Sequence, residues 1–99
     1  MKTYTDLGDL LKDTNHGKMT VILPHEKCLE DIRTHHSEIY RGLRALSLKT
    51  PKGGVHSTMV QAKNKAAYEL LTDTLKAAEV KYSLLGPKGN PMPPELSAS

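Results

Sequence analysis

Three residues of types that bind metal ions lie on one face of a predicted helix. Cys28, Asp31 and His35 are spaced i, i+3 and i+7, which places their side chains on the same side of an α-helix. A structural zinc site needs four ligands, commonly in pairs from different elements, and the sequence shows no second pair. The cysteine also lacks the local signature of a catalytic thiol. We therefore predict no catalytic residue, no metal and no cofactor, and we do not expect an enzyme.

A loop rich in lysine and glycine is the second segment that could bind a ligand. Glycines ahead of a helix expose backbone N–H groups and nearby lysines add positive charge, which together favour a phosphate or another anion. The residue orders of a P-loop and of a dinucleotide-binding loop are both absent. We expect the basic residues to flank one loop, from which they could contact successive phosphates, although a plain flexible turn is the favoured interpretation of the loop. The predicted binding residues are Arg41, Arg44, Lys49, Lys52, Gly53, Gly54, His56, Lys63 and Lys65.

Charge and apolar content both favour a protein that has a partner. Residues 1–40 carry five Lys/Arg and seven Asp/Glu, whereas residues 41–99 carry nine and four, so the second half is basic. Such an asymmetry can mark a surface for an acidic partner. The chain has no Phe or Trp and only four Tyr, so its core must be built from aliphatic side chains. A thin core in a short chain favours association, including a homo-oligomer.

The elements that would position these residues alternate between helix and strand. Thr5 is predicted to cap a helix over residues 6–13, and Asn15-His16-Gly17 is predicted to end it, because Asn and Gly tolerate left-handed backbone. Lys18–Leu23 is short and rich in β-branched residues, which is typical of a strand. A second helix is predicted to begin near His25, with acidic residues early and arginines late.

The segment after the second helix allows two structures. Helical spacing continues through an apolar seam, which would bury His36 and give a mainly α, antiparallel helical hairpin; the seam is Leu29, Ile32, His36, Ile39, Leu43 and Leu46. Alternatively, Gly42 ends the helix and residues 43–48 form a strand. We favour a single α+β domain with a short N-terminal helix, two longer helices and a small sheet. The other strands then gain a neighbour, and an isolated two-stranded ribbon is only marginally stable.

A third helix is predicted from Met59 to Glu79. Thr58 and Gln61 have the spacing of a capping box, in which two side chains satisfy backbone N–H groups at a helix start. The residues expected on its buried face are Ala62, Ala66 and Leu70, with Ala67, Leu71, Leu75 and Ala78 beside them. Val80–Leu84 alternates like a strand.

The domain is expected to span residues 1–86, followed by a Pro/Gly-rich tail over residues 87–99. The tail lacks the apolar residues to fold alone, so it is either disordered or an extended arm that docks on a partner. No apolar run is long enough to cross a membrane, and the first residues lack the apolar region of a secretory signal. We therefore expect a cytoplasmic protein, in the host cytoplasm if a phage encodes it.

The second half of the chain follows the order strand, Pro-Gly loop, helix with an early Asn, strand ending in Gly, and Pro-rich stretch. The corresponding segments are Leu46–Leu48, Pro51–Gly54, Asn64, Val80–Gly86 and Glu95–Ser97. In this order, residues 45–99 resemble a small uncharacterised α+β domain of bacteria and phages. The resemblance implies a mixed fold, and it brings no function with it.

Together these observations favour a small non-enzymatic interaction protein. We expect it to bind and modulate or inhibit a host macromolecular complex, as a protein encoded by a phage or mobile element would. The partner is expected to be a protein, contacted by residues 41–65 or by the tail. The alternative is binding of nucleic acid or a nucleotide through the basic glycine loop at residues 49–58.

Overall fold

Six strands and four helices are present in this computed structural model, which describes residues 1–49 and 56–94. The strands are β1 (Lys2–Tyr4), β2 (Thr20–Leu23), β3 (Leu43–Lys49), β4 (His56–Ala62), β5 (Ser83–Leu85) and β6 (Pro91–Met92). The helices are α1 (Leu7–Asp13), α2 (Glu26–His35), α3 (Ser37–Arg41) and α4 (Lys65–Ala77). The strands form one mixed sheet in the order β1-β3-β4-β2-β5-β6, in which β1 and β3 run parallel and the other neighbours antiparallel. The predicted α+β class is confirmed.

The neighbouring internal strands β3 and β4 bury apolar side chains on both faces of the sheet. The ladder between β3 and β4 begins with Leu43 opposite Ala62 and continues over seven residue pairs. Since successive side chains of a strand point to opposite faces, Leu46 and Met59 lie on one face and Val60 lies on the other. These three side chains are at most 1% exposed, so the sheet is covered on both sides.

Helices cover the two faces unequally. The face that carries Val60 packs against α2, α3 and α4, and this larger buried cluster comprises Val21, Leu23, Cys28, Leu29, Ile32, Leu43, Val60, Ala62, Leu71, Leu75 and Tyr82. The opposite face carries α1, and its smaller buried cluster comprises Tyr4, Leu10, Leu46, Met59 and Leu85. The result is a three-layer domain in which the short helix α1 alone forms the third layer.

The long-helix alternative is wrong, and so is the predicted burial of His36. The backbone of His36 has a φ of −136°, outside the helical range, and separates α2 from α3. Its side chain is exposed. Gly42 follows the end of α3, as the strand alternative predicts, and residues 43–49 then pair with β1 on one side and β4 on the other. Pairing on both sides stabilises the strand beyond what local helical spacing can offer.

The predicted capping box is also wrong. Thr58 and Gln61 both lie in β4, where the backbone pairs with β2 and β3. The helix begins after Asn64, whose side-chain oxygen accepts a hydrogen bond of 2.8 Å from the backbone N–H of Ala67. Both sites offer a capping side chain, and the strand prevails because Met59 and its neighbours are buried from both faces of the sheet.

The buried face of α4 agrees with the prediction only in part. Leu71 and Leu75 are buried as predicted, whereas Ala66 is exposed and Leu70 is 56% exposed. The predicted face starts at Ala62, which is buried but belongs to β4. The helix begins later and turns a different side towards the sheet. The last predicted strand is also displaced, because β5 begins at residue 83.

The turn after α1 confirms the predicted left-handed backbone. Asn15, His16 and Gly17 have φ values of 54°, 60° and 80°. A side chain at Gly17 would place its Cβ 2.5 Å from the backbone oxygen of Leu85, so only glycine fits. The start of α1 is capped by Asp6 rather than by the predicted Thr5, because the Asp6 carboxylate accepts the backbone N–H of residue 8.

A polar network holds α1 against the sheet. Arg44 of β3 donates to the Asp13 carboxylate at 3.1 Å and to the Gln61 side-chain oxygen at 2.6 Å. The amide nitrogen of Gln61 in turn donates to the carbonyls of Thr14 and Lys18, both at 3.0 Å. These carbonyls follow the end of α1, where a helix leaves backbone oxygens without partners. Side chains of β3 and β4 therefore donate hydrogen bonds to backbone oxygens at or after the end of α1, the helix that covers these strands.

We expect Gly17→Ala to destabilise the fold by at least about 2 kcal/mol, because Ala is strained at positive φ and its Cβ meets the backbone of β5. Urea denaturation followed by circular dichroism measures the change. Gly8→Ala is the control, because Gly8 lies in α1 without positive φ and should change stability by less than about 1 kcal/mol. Equal effects of the two variants would contradict the packing of this turn against β5.

We expect Arg44→Ala to lower the free energy of unfolding by about 1–2 kcal/mol, because it leaves Asp13 and Gln61 without their shared donor. The matched control is Arg33→Ala, which removes an exposed ion pair with Glu30 on α2 and should cost about 0–0.5 kcal/mol. The same urea titration measures both. A loss at Arg33 as large as that at Arg44 would contradict a structural role of the network.

Candidate interaction site

The two ends of the β3–β4 hairpin lie far apart, which separates the basic residues predicted to act together. Lys49 pairs with His56 at the end next to the loop, whereas Leu43 pairs with Ala62 at the other end. Six residue steps separate the two pairs, which corresponds to about 20 Å at the usual rise of a strand. A single surface around one loop therefore cannot contain residues from both ends.

Arg41, Lys63 and Lys65 lie at the end away from the loop. All three are exposed, and the Lys63 ammonium donates to the backbone carbonyl of Arg41 at 3.2 Å. Lys49 is exposed at the loop end. The predicted residues Lys52, Gly53 and Gly54 and the side chain of His56 lie outside the described residues. The expectation that these cations flank one loop is thus contradicted by the strand register.

Arg44, the remaining predicted binding residue, acts within the fold. Its guanidinium contacts Asp13 and Gln61 on the face covered by α1, so its charge is already neutralised by a carboxylate. At the end of the hairpin away from the loop, the remaining predicted cations lie near the start of α4. They form a corner, defined here as the basic corner, of Arg41, Lys63 and Lys65.

The basic corner lies beside the positive end of a helix dipole. α4 begins at Lys65, and its first turn contains no acidic residue that would neutralise the field. Tyr68 lies one turn further along and is half-buried. Burial raises the pKa of the Tyr68 hydroxyl above its usual value of 10.0, so this group stays neutral at physiological pH. The corner therefore carries positive charge without an exposed aromatic platform.

A groove of about 730 Å³ lies between the C-terminal end of α4 and β6, on the side of the molecule away from α1. Its walls are Val80, Tyr82 and residues 91–94, and its rim carries Lys76 and Lys81. Met92 and Val80 are half-buried, so they still present apolar surface to the groove. We call this feature the β6 groove.

The described part of the predicted tail builds one wall of this groove. A turn closed by the hydrogen bond from the Gly86 N–H to the Asn90 carbonyl, 2.7 Å long, brings the chain back to the sheet. Met92 then lies opposite Leu84, so β6 pairs with β5. The sheet therefore continues past residue 86, where the domain was expected to end.

β6 is an edge strand that cannot extend the sheet regularly. Pro91, Pro93 and Pro94 have no backbone N–H, so three of the four residues from 91 to 94 cannot donate to a further strand. Prolines at an edge are a common protection against unwanted strand pairing. A ligand in the groove must therefore be held mainly by contacts with side chains.

The described charged residues that line the groove are both lysines. Lys76 and Lys81 are exposed, and neither forms an ion pair within residues 1–49 and 56–94. Within those ranges the lining contains no Asp or Glu, although Glu79 lies in the turn between the two lysines. The β6 groove thus combines apolar walls with a positive rim.

A second cleft, of about 600 Å³, lies between β1 and α1 and is lined by Lys2, Tyr4, Asp9, Lys12 and Asp13. The Lys2 ammonium is 3.7 Å from the Asp13 carboxylate and 5.2 Å from the centre of the Tyr4 ring. Among the described residues, no hydrogen-bond partner reaches the buried Tyr4 hydroxyl. Two lysines and two aspartates balance each other here, so the cleft offers no net charge to a ligand.

The candidate metal ligands remain dispersed along α2. Cys28 is buried, whereas Asp31 and His35 are exposed. The Cys28 sulfur lies 3.5 Å from Nδ1 of His25, which precedes the helix. Within the part of the chain that the structure describes, no group of three or more His, Cys, Asp or Glu side chains is placed to hold a metal ion.

The sequence predicts a tail that is either disordered or an extended arm docked on a partner, but it does not predict the groove. The prediction places Val80 and Tyr82 in a strand and Met92 in a tail that lacks the apolar residues to fold alone. The available signal was the sequence Pro91-Met92-Pro93-Pro94, in which one large apolar side chain is placed among residues that favour extended backbone.

Comparison of the chain with protein-family models, with curated proteins and with solved structures finds no significant match. The resemblance of residues 45–99 to a bacterial and phage domain therefore stays a prediction. Across the described residues, no helix has both the length and the apolar character needed to cross a bilayer. The fold and the β6 groove are thus the basis on which a function can be proposed.

Proposed function

We propose that the protein is a non-enzymatic interaction protein that binds a partner protein in the β6 groove and modulates the complex to which the partner belongs. The observation that carries this proposal is the combination of apolar walls and two exposed lysines in one groove. Its volume is within the range of about 300–1,000 Å³ typical of ligand sites. Protein interfaces depend on a few apolar anchors that fill such a pocket.

The partner in this proposal is part of a host complex, and the protein is encoded by a phage or mobile element. A small chain can inhibit such a complex simply by occupying a surface that another component needs. The proposal requires no catalytic group, and it accommodates a homo-oligomer that presents the groove more than once.

Nucleic acid is the second candidate, and the basic corner of Arg41, Lys63 and Lys65 favours it. These cations and the positive end of α4 could contact phosphates. Single-stranded nucleic acid also needs exposed aromatic rings for stacking. All four tyrosines are buried or half-buried, namely Tyr4, Tyr40, Tyr68 and Tyr82. We therefore rank a protein partner above nucleic acid.

We expect affinity capture from a host-cell lysate to retain a discrete set of proteins that survives nuclease treatment. Met92→Glu should abolish this capture, because it places a carboxylate on the apolar wall of the groove. Mass spectrometry of the captured proteins makes the measurement, and circular dichroism checks that the variant is folded.

The matched control is Leu70→Glu, which alters a 56% exposed apolar residue of α4 outside the groove and should leave capture unchanged. Capture that survives nuclease but is insensitive to Met92→Glu would refute the groove as the binding site. Capture of no protein at all would refute the proposed function.

We expect no binding of a labelled 30-nucleotide single-stranded DNA, even at low salt. Fluorescence anisotropy at about 20 mM and 200 mM salt measures it, since binding to phosphates weakens steeply with salt. Strong binding at low salt that is lost in the triple variant Arg41→Ala, Lys63→Ala, Lys65→Ala would instead support the nucleic-acid alternative. The control triple variant, at exposed basic positions elsewhere, is Lys12→Ala, Lys18→Ala, Lys27→Ala.

A further inference from the structure

The walls of the β6 groove limit what can occupy it. Residues 91, 93 and 94 are prolines and offer no backbone donor, so a partner cannot be bound there as a regular additional strand. Met92 and Val80 nevertheless remain half-exposed. An occupant must therefore contribute an apolar side chain to this space rather than a ladder of backbone hydrogen bonds.

The rim limits the charge of the occupant. Lys76 comes from the last turn of α4 and Lys81 from the segment before β5, and both line the groove. Neither has a carboxylate partner within residues 1–49 and 56–94. An occupant with a carboxylate beside its apolar group would complement these two exposed cations, whereas a basic occupant would be repelled.

The position of the groove favours an occupant that extends along the surface. The groove is open to solvent and follows the edge of the sheet, with the rigid wall of Pro93 and Pro94 on one side. Proline-lined walls lose little conformational entropy when a ligand packs against them, because their φ angles are already restricted. Such a wall suits a segment of chain that passes along it.

We infer that the β6 groove binds an extended, acidic segment of a partner protein, with an apolar side chain between Val80 and Met92 and a carboxylate at Lys76 and Lys81. This inference rests on the proposed function and adds to it the chemistry of the partner. The lysines select the charge of the segment, and the apolar walls provide most of the contact.

The experiment is a selection of random twelve-residue peptides displayed on phage, performed with the wild type and with the double variant Lys76→Glu, Lys81→Glu. The wild type should enrich peptides that combine Asp or Glu with a large apolar residue. The double variant should instead enrich peptides that contain Lys or Arg. The control variant Lys12→Glu, Lys27→Glu, which makes the same charge change at exposed sites of α1 and α2, should select as the wild type does.

A labelled peptide of the enriched sequence then provides an affinity. We expect Lys76→Glu, Lys81→Glu to weaken it by about tenfold or more, and the control variant to change it by less than about twofold. Backbone NMR shifts of the wild type should change at residues 80–82 and 91–94 when the peptide is added. We expect each variant to remain folded, as checked by circular dichroism, since the four lysines are exposed.

Three results would overturn the inference. They are peptides without enriched acidic residues, a charge preference that the double variant does not reverse, and NMR shifts outside the groove. If no peptide is selected while the lysate capture still depends on Met92, the inference fails and the proposed function stands. If peptides bind the groove while the lysate capture retains no protein, the proposed function fails. The inferred preference of the groove for acidic segments with an apolar side chain then stands.

Discussion

The pairing of β4 with β3 on one side and β2 on the other is the constraint on which the rest of the structure depends. The chain contains no Phe or Trp, so its core has to be assembled from many smaller side chains. A strand at the centre of a sheet can bury such residues on both of its faces, as Met59 and Val60 show. Two apolar faces then require cover on two sides, and the helices are distributed accordingly.

The cover is uneven, and the β6 groove follows from that. On one face, α1 is only seven residues long, and it is held by the network from Arg44 and Gln61 as well as by its buried Leu10. On the other face, α4 ends at Ala77 while the sheet continues to β5 and β6. The apolar edge that none of the four described helices covers is the wall of the β6 groove. The groove lies where the sheet extends beyond these helices.

The three-dimensional structure separates the basic residues of the second half of the chain. In the sequence, the cations between residues 41 and 65 look like one surface. Antiparallel pairing places Lys49 at one end of the hairpin and Lys63 near the other, while Arg44 is neutralised by Asp13. Lys76 and Lys81, which the sequence did not single out, lie together over apolar walls. Local charge density along a chain therefore says little about charge density on a folded surface.

The sequence by itself determined the features that depend on neighbouring residues. These are the α+β class, the short helix α1, the left-handed turn at Asn15 to Gly17, and the strand β2. Each follows from side-chain sterics and backbone preference within a few residues. The sequence left the choice between helix and strand after Gly42 open, and pairing with β1 and β4 decided it. The tertiary structure alone decided whether Thr58 begins a helix or lies in a strand, because a capping side chain is available both there and at Asn64. It also decided which face of α4 is buried, and it formed the β6 groove from residues 76–83 and 91–94. These outcomes depend on pairing and packing between segments that are distant in the chain. The free energy of such contacts cannot be inferred from a local sequence pattern.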